Sequence, residues 1–150
     1  MTTVKSDKMI IKQVSVFLEN KSGRLNEVTQ ILGDAGLNMS AFTIADTSDF
    51  GILRLIVSDP EKAKEVLKKN KFAVQTTEVI LVKTPNVPGG LAKMLNILNA
   101  ENVFIEYMYA FSNSEDTAVI VLRPTDLQKC IDILQNHRSD FLVQEGQYLF

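Results

Sequence analysis

The chain has 150 residues, 16 basic and 18 acidic, for a formal net charge of −2; 45% are apolar and 23% charged, a folded rather than a disordered composition without the basic surplus of a nucleic-acid binder. No apolar run approaches the roughly 18 residues of a spanning helix, and Met1 to Lys8 lack the apolar block of a secretory signal, so a cytoplasmic, membrane-free protein with a flexible N-terminus over 1–9 is expected. A lone cysteine, Cys130, and a lone histidine, His137, exclude an internal disulfide, a multi-cysteine zinc site and most His-based triads, so no catalytic residues, metal or cofactor are expected.

In chain order, Val14, Val16 and Leu18 alternate with Ser15, Phe17 and Glu19, the pattern of a strand. Asn20-Lys21-Ser22-Gly23 breaks it. Leu25, Val28, Ile31, Leu32 and Ala35 recur at helical spacing, and Gly36 is a stop. Leu37 to Ala45 and Ile52 to Val57 read as strands around a turn that holds Asp46 and Asp49. Asp59-Pro60-Glu61 starts a helix, with a capping side chain, a ring that fixes φ and a carboxylate near the positive helix end. Ala63, Val66 and Leu67 form its inner face, and Phe72 to Thr77 reads as a fourth strand.

The same order then repeats. Val79 to Thr84 is a strand, broken at Pro85-Asn86-Val87-Pro88-Gly89-Gly90. Leu91, Met94, Leu95 and Leu98 share one helical face. Val103 to Phe111 and Ala118 to Leu122 are strands around Ser112 to Asp116, with Tyr107, Tyr109 and Phe111 on one face. Asp126 or Thr125 caps a helix that turns Leu127, Cys130, Ile131 and Leu134 inward, and Phe141 to Tyr148 closes the copy. Shifting the chain by 66 places Val16 on Val82, Asn20 on Asn86, Gly23 on Gly89, Leu25 on Leu91 and Leu32 on Leu98. Two βαββαβ units imply an α+β fold of two ferredoxin-like domains, residues 10–77 and 78–150. Each is expected to be an antiparallel sheet with its helices on one face. Units this small are marginal alone, so edge strands are expected to join into one continuous sheet.

The residues that point to chemistry lie where each first strand meets its first helix: Asn20-Lys21-Ser22-Gly23-Arg24-Leu25 and Asn86-Val87-Pro88-Gly89-Gly90-Leu91. A helix start presents unpaired N–H groups and partial positive charge. A glycine lets a ligand approach bare backbone, and an asparagine offers both a donor and an acceptor. That combination suits a small carboxylate or an amino acid; a plain turn and cap would use the same residues.

These segments, with Gly36-Leu37-Asn38-Met39, resemble the signature of the ACT domain, and the resemblance covers nearly everything after Ile10. It implies a βαββαβ fold and a non-catalytic, amino-acid-binding regulator, with the ligand held at a junction of two domains. By motif position, Asn20 and Gly23 hold the ligand's polar end, flanked by Lys21, Ser22, Arg24 and Leu25, with Asn38 and Met39 as the facing segment. Asn86 and Gly89, with Val87, Pro88, Gly90 and Leu91, are the second set, faced by Phe104 and Ile105. Phe104 stands where the first copy has Asn38, and Ser22 where the family usually has proline. The resemblance further implies a homodimer. An alternative is the regulatory subunit of a biosynthetic enzyme, similar to the small subunit of acetolactate synthase, with that metabolic enzyme as partner.

Overall fold

The computed structural model describes residues 10–19, 21–46, 50–112 and 115–137. Among them run β1 (Ile10–Glu19), α1 (Arg24–Asp34), β2 (Met39–Asp46), β3 (Phe50–Val57), α2 (Pro60–Lys69), β4 (Ala73–Pro85), α3 (Gly90–Ala100), β5 (Ile105–Ser112), β6 (Thr117–Pro124) and α4 (Leu127–Asn136). The chain divides into two compact units. One is Lys12–Thr77; the other starts at Glu78 and includes Ile10 and Ile11.

In the first unit the strand order is β2-β3-β1-β4, so β2 is an edge. Alternation on β1 sends Val14, Val16 and Leu18 inward, all at most 6% exposed. They stand opposite Leu55, Leu53 and Gly51 of the antiparallel β3, which in turn pairs Leu55 with Phe42 and Leu53 with Ile44 of β2. Val28 and Leu32 of α1 and Ala63 and Leu67 of α2 pack onto that side and complete the core. Burying one such leucine contributes about 2 kcal/mol, and truncating it to alanine costs about 2–5 kcal/mol. Helix α2 starts as its sequence dictates: Asp59 accepts the Lys62 N–H at 3.1 Å, with Pro60 in the first turn.

The second unit has the order β4-β6-β5. Ile80 and Val82 of β4 stand opposite Leu122 and Ile120 of β6. With Met94 and Leu98 of α3 and Cys130, Ile131 and Leu134 of α4 they form its core, and Ile10 packs against it. Asp126, rather than Thr125, caps α4 by accepting the Lys129 N–H at 3.0 Å. Val79 to Val82 and Val119 to Leu122 are buried without interruption, so both faces of these strands are covered. Tyr107, Tyr109 and Phe111 of β5 pair with Arg123, Val121 and Val119, on the face away from Ile120 and Leu122.

Strand ends shift by one or two residues from the sequence reading, as at β2, β3 and β5, and one boundary between elements is absent. The strands expected over Phe72 to Thr77 and Val79 to Thr84 are a single strand, β4. Thr76-Thr77-Glu78 contains no glycine or proline, and threonine favours extended backbone, so nothing breaks the run. The strand expected at Phe141 to Tyr148 and the flexible tail expected over 1–9 lie outside the described residues.

Candidate ligand site at the glycine loops

Helices α1 and α3 begin differently from α2 and α4. Their N-cap residues are Gly23 and Gly89, in left-handed conformation at φ 88° and 85°, and neither helix has a side-chain cap. A β-carbon would meet nothing within 4 Å at either glycine, so the space in front of both is open. The positive φ accounts for glycine, because other residues pay about 1–2 kcal/mol there. The uncapped N-terminus leaves backbone donors for an external acceptor.

The surroundings of the two loops diverge. In the first, Lys21 Nζ lies 2.8 Å from Glu19, while Arg24 lies 3.2 Å from Glu27 and 3.8 Å from Glu19. The hydrogen bond and charge of Lys21, and then the charge of Arg24, hold the Glu19 carboxyl below its ordinary pKa. Ser22 and Gly23 are exposed, and Asn20 lies outside the described residues. In the second loop the Asn86 side chain donates to the Glu115 carbonyl at 3.1 Å, and its backbone N–H to the Asp116 carbonyl at 2.8 Å. Asn86 therefore fastens its loop to the β5–β6 turn. Gly90 is glycine for packing, since a β-carbon there would stand 2.5 Å from the Pro85 carbonyl oxygen. Val87 and Pro88 are exposed, and Leu91 remains 39% exposed.

Beside the first loop lies a cavity of about 140 Å³ lined by Leu25, Thr29, Met39, Phe42, Leu53 and Leu55. It unites Leu25 of the glycine loop with Met39, one residue beyond Asn38. Its walls are wholly apolar, because the Thr29 hydroxyl is turned away to donate to the Asn26 carbonyl at 2.9 Å. Phe42 is 64% exposed and Ile44 44% exposed, because β2 is an edge that the helices do not cover. Thr29, Phe42, Leu53 and Leu55 were not apparent as site residues from spacing; the β2–β3 register is what brings them together.

Asn38 and Phe104 are held alike. Asn38 donates its N–H to Ser58 Oγ at 3.1 Å and accepts the Ser58 N–H at 3.0 Å. Phe104 accepts from Thr125, through N–H at 3.0 Å and Oγ1 at 3.4 Å. Both side chains point outward; Phe104 is 66% exposed, and Ile105 after it is half-buried. The clamps Ser58 and Thr125 lie 67 residues apart, matching the drift of the repeat, which is the signal that could have marked them.

Among the described residues no helix is long and apolar enough to cross a membrane. No group of three or more His, Cys, Asp or Glu among them is placed to hold a metal ion. Cys130 is buried, and desolvation, followed by the charge of Asp126, pushes its thiol up to about 12.

A family model described as an ACT domain pair matches residues 9–148. The crystal structure of protein BT0572 from Bacteroides thetaiotaomicron is 55% identical in sequence, with a TM-score of 0.83, over 87% of this chain and 90% of that one. The regulatory subunit of aspartate kinase from Thermus thermophilus, in a ligand-free form, shares the fold. It has a TM-score of 0.61 at 14% identity, over 85% of this chain and 95% of that one. No curated protein matches the sequence.

Proposed function

The chain belongs to the ACT domain pair family, and from that premise we propose that it is a non-catalytic regulator that binds an amino acid at its first glycine loop. The observation that carries this reading is the pairing of an uncapped helix start at Gly23 with the apolar cavity beside Leu25. The backbone donors at the mouth of α1 take the carboxylate, and Asn20 with Asn38 supplies polar partners for the ammonium end. The cavity takes the side chain. An apolar cavity of roughly 150 Å³ holds a benzene-sized group, so the 140 Å³ here favours an apolar side chain.

A second copy of the chain is the natural cover for this site. Leu25, Phe42 and Ile44 line an exposed apolar strip along an edge strand, which a copy's own strip can bury. Ligand bound beneath such a cover favours the covered state by its difference in affinity between the two states. The second loop, fastened to the β5–β6 turn by Asn86, serves structure in this reading.

Calorimetry with the twenty amino acids tests the proposal. Heat is expected from one or a few apolar amino acids, with Kd between micromolar and millimolar, about −8 to −4 kcal/mol. Asn20→Ala and Gly23→Val each weaken binding at least about tenfold, roughly 1.4 kcal/mol, with the fold intact by circular dichroism. Absence of heat from all twenty, or unchanged affinity in both variants, would sink it. The aspartate kinase regulatory subunit shares this fold, which favours a second reading as the regulatory subunit of a biosynthetic enzyme. Stable retention of a large catalytic protein in a pull-down separates that reading from a free-standing sensor.

A further inference from the structure

A second cavity of about 170 Å³ also borders the first glycine loop, at Glu19 and Arg24, and shares no lining residue with the one beside Leu25. Three phenyl rings, Phe17, Phe50 and Phe72, form its walls; Arg24, Lys71 and Glu19 stand at its rim. The strand register accounts for the grouping. Glu19 is the direct partner of Phe50 across β1 and β3, and Phe17 lies two residues back on the same face. The turn between α2 and β4 then delivers Lys71 and Phe72 to the same end of the unit.

We propose that this cavity binds a small aromatic carboxylate, its ring among the three phenylalanines and its acid group on Arg24 and Lys71. Arg24 is preset for that task. Its guanidinium lies 5.0 Å from the centre of the Phe72 ring and is fixed on one side by Glu27. On its other side it reaches Glu19 only at 3.8 Å, while Glu19 has Lys21 at 2.8 Å. A ligand carboxylate can replace the long contact with a short, forked one without stranding Glu19. Lys71 holds φ 66°, a left-handed conformation uncommon for a side-chain-bearing residue. The two cations outnumber the single rim carboxylate, which favours an anion. The site is also not a by-product of duplication: the positions 66 residues on from Phe17, Glu19, Arg24 and Phe50 are Lys83, Pro85, Gly90 and Asp116.

The test is an NMR titration of the full chain with 3-phenylpropionate and, separately, with its neutral amide. Saturable shifts are expected at Phe17, Phe50 and Phe72, with Kd at or below about 1 mM for the acid and at least about tenfold weaker binding of the amide. Arg24→Gln weakens the acid at least about tenfold. Lys71→Gly removes the second cation at a position whose backbone suits glycine, so the variant stays folded and still binds the acid more weakly. Phe42→Asp, in the wall of the other cavity, leaves this binding unchanged while abolishing that of an amino acid beside Leu25. Three results would overturn the proposal: no saturation, equal binding of acid and amide, or binding lost in Phe42→Asp but kept in both Arg24→Gln and Lys71→Gly.

Discussion

The two glycine loops share a backbone and differ in most of the side chains that border it. Gly23 and Gly89 have the same left-handed φ, the same open space and the same missing cap. Around Gly23 the side chains are charged and pair with one another at the surface. Around Gly89 the loop residues Asn86, Val87, Pro88 and Gly90 are neutral, and Asn86 fastens the loop to the β5–β6 turn. The repeat keeps the turn twice with different neighbours; in the proposed reading they leave the first turn to a ligand and tie the second into the fold. A motif match therefore establishes a conformation, and the residues in contact with it establish a use.

Substitutions at matched positions of the two loops sharpen this contrast. Gly90→Ala forces a β-carbon against the Pro85 carbonyl and should cost about 1–3 kcal/mol in urea denaturation. Its counterpart Arg24→Ala loses surface ion pairs and one ring contact and should cost at most about 1 kcal/mol. Equal costs would break the distinction. Next in size, Asn86→Ala removes the tie to Glu115 and should cost about 1 kcal/mol by the same measurement, with no loss of amino-acid affinity at the first loop.

The smallest expected effect is acid sensitivity in the first unit. Lys21 holds the Glu19 carboxyl below its ordinary pKa, and Lys12 does the same for Glu61. A carboxyl with a lowered folded-state pKa adds stability above its unfolded value, and that stability disappears as pH falls through the folded value. The urea midpoint should therefore fall as pH drops below the usual carboxylate range. It should fall less steeply in the Glu19→Gln/Glu61→Gln double variant; parallel slopes would remove these pairs from the account.

Much of the fold was legible because its signals are local. The alternation of Val14, Val16 and Leu18, the stripe of Ala63, Val66 and Leu67, and the caps at Asp59 and Asp126 each act within a few residues. The repeat made the order of elements firm. The merger of two expected strands into β4 was hidden because the absence of a breaker between them is a weak signal. The glycine loops were legible as motifs, but their walls were not. Phe42 meets Leu25 only through sheet register and edge position, and Gly90 meets Pro85 only through the path of the loop. The amide of Asn86 offers a donor and an acceptor and so reads as a ligand group; that it also donates to the Glu115 carbonyl could not be read from spacing, because the two lie 29 residues apart.

The backbone amide resonances of Gly23 and Gly89, followed together while the amino acid that gives heat is added, address the central claim most directly. A saturable shift at Gly23, matched to the calorimetric Kd, with Gly89 unmoved at the same concentration, is the predicted result. Saturation at Gly89 with Gly23 silent would contradict it.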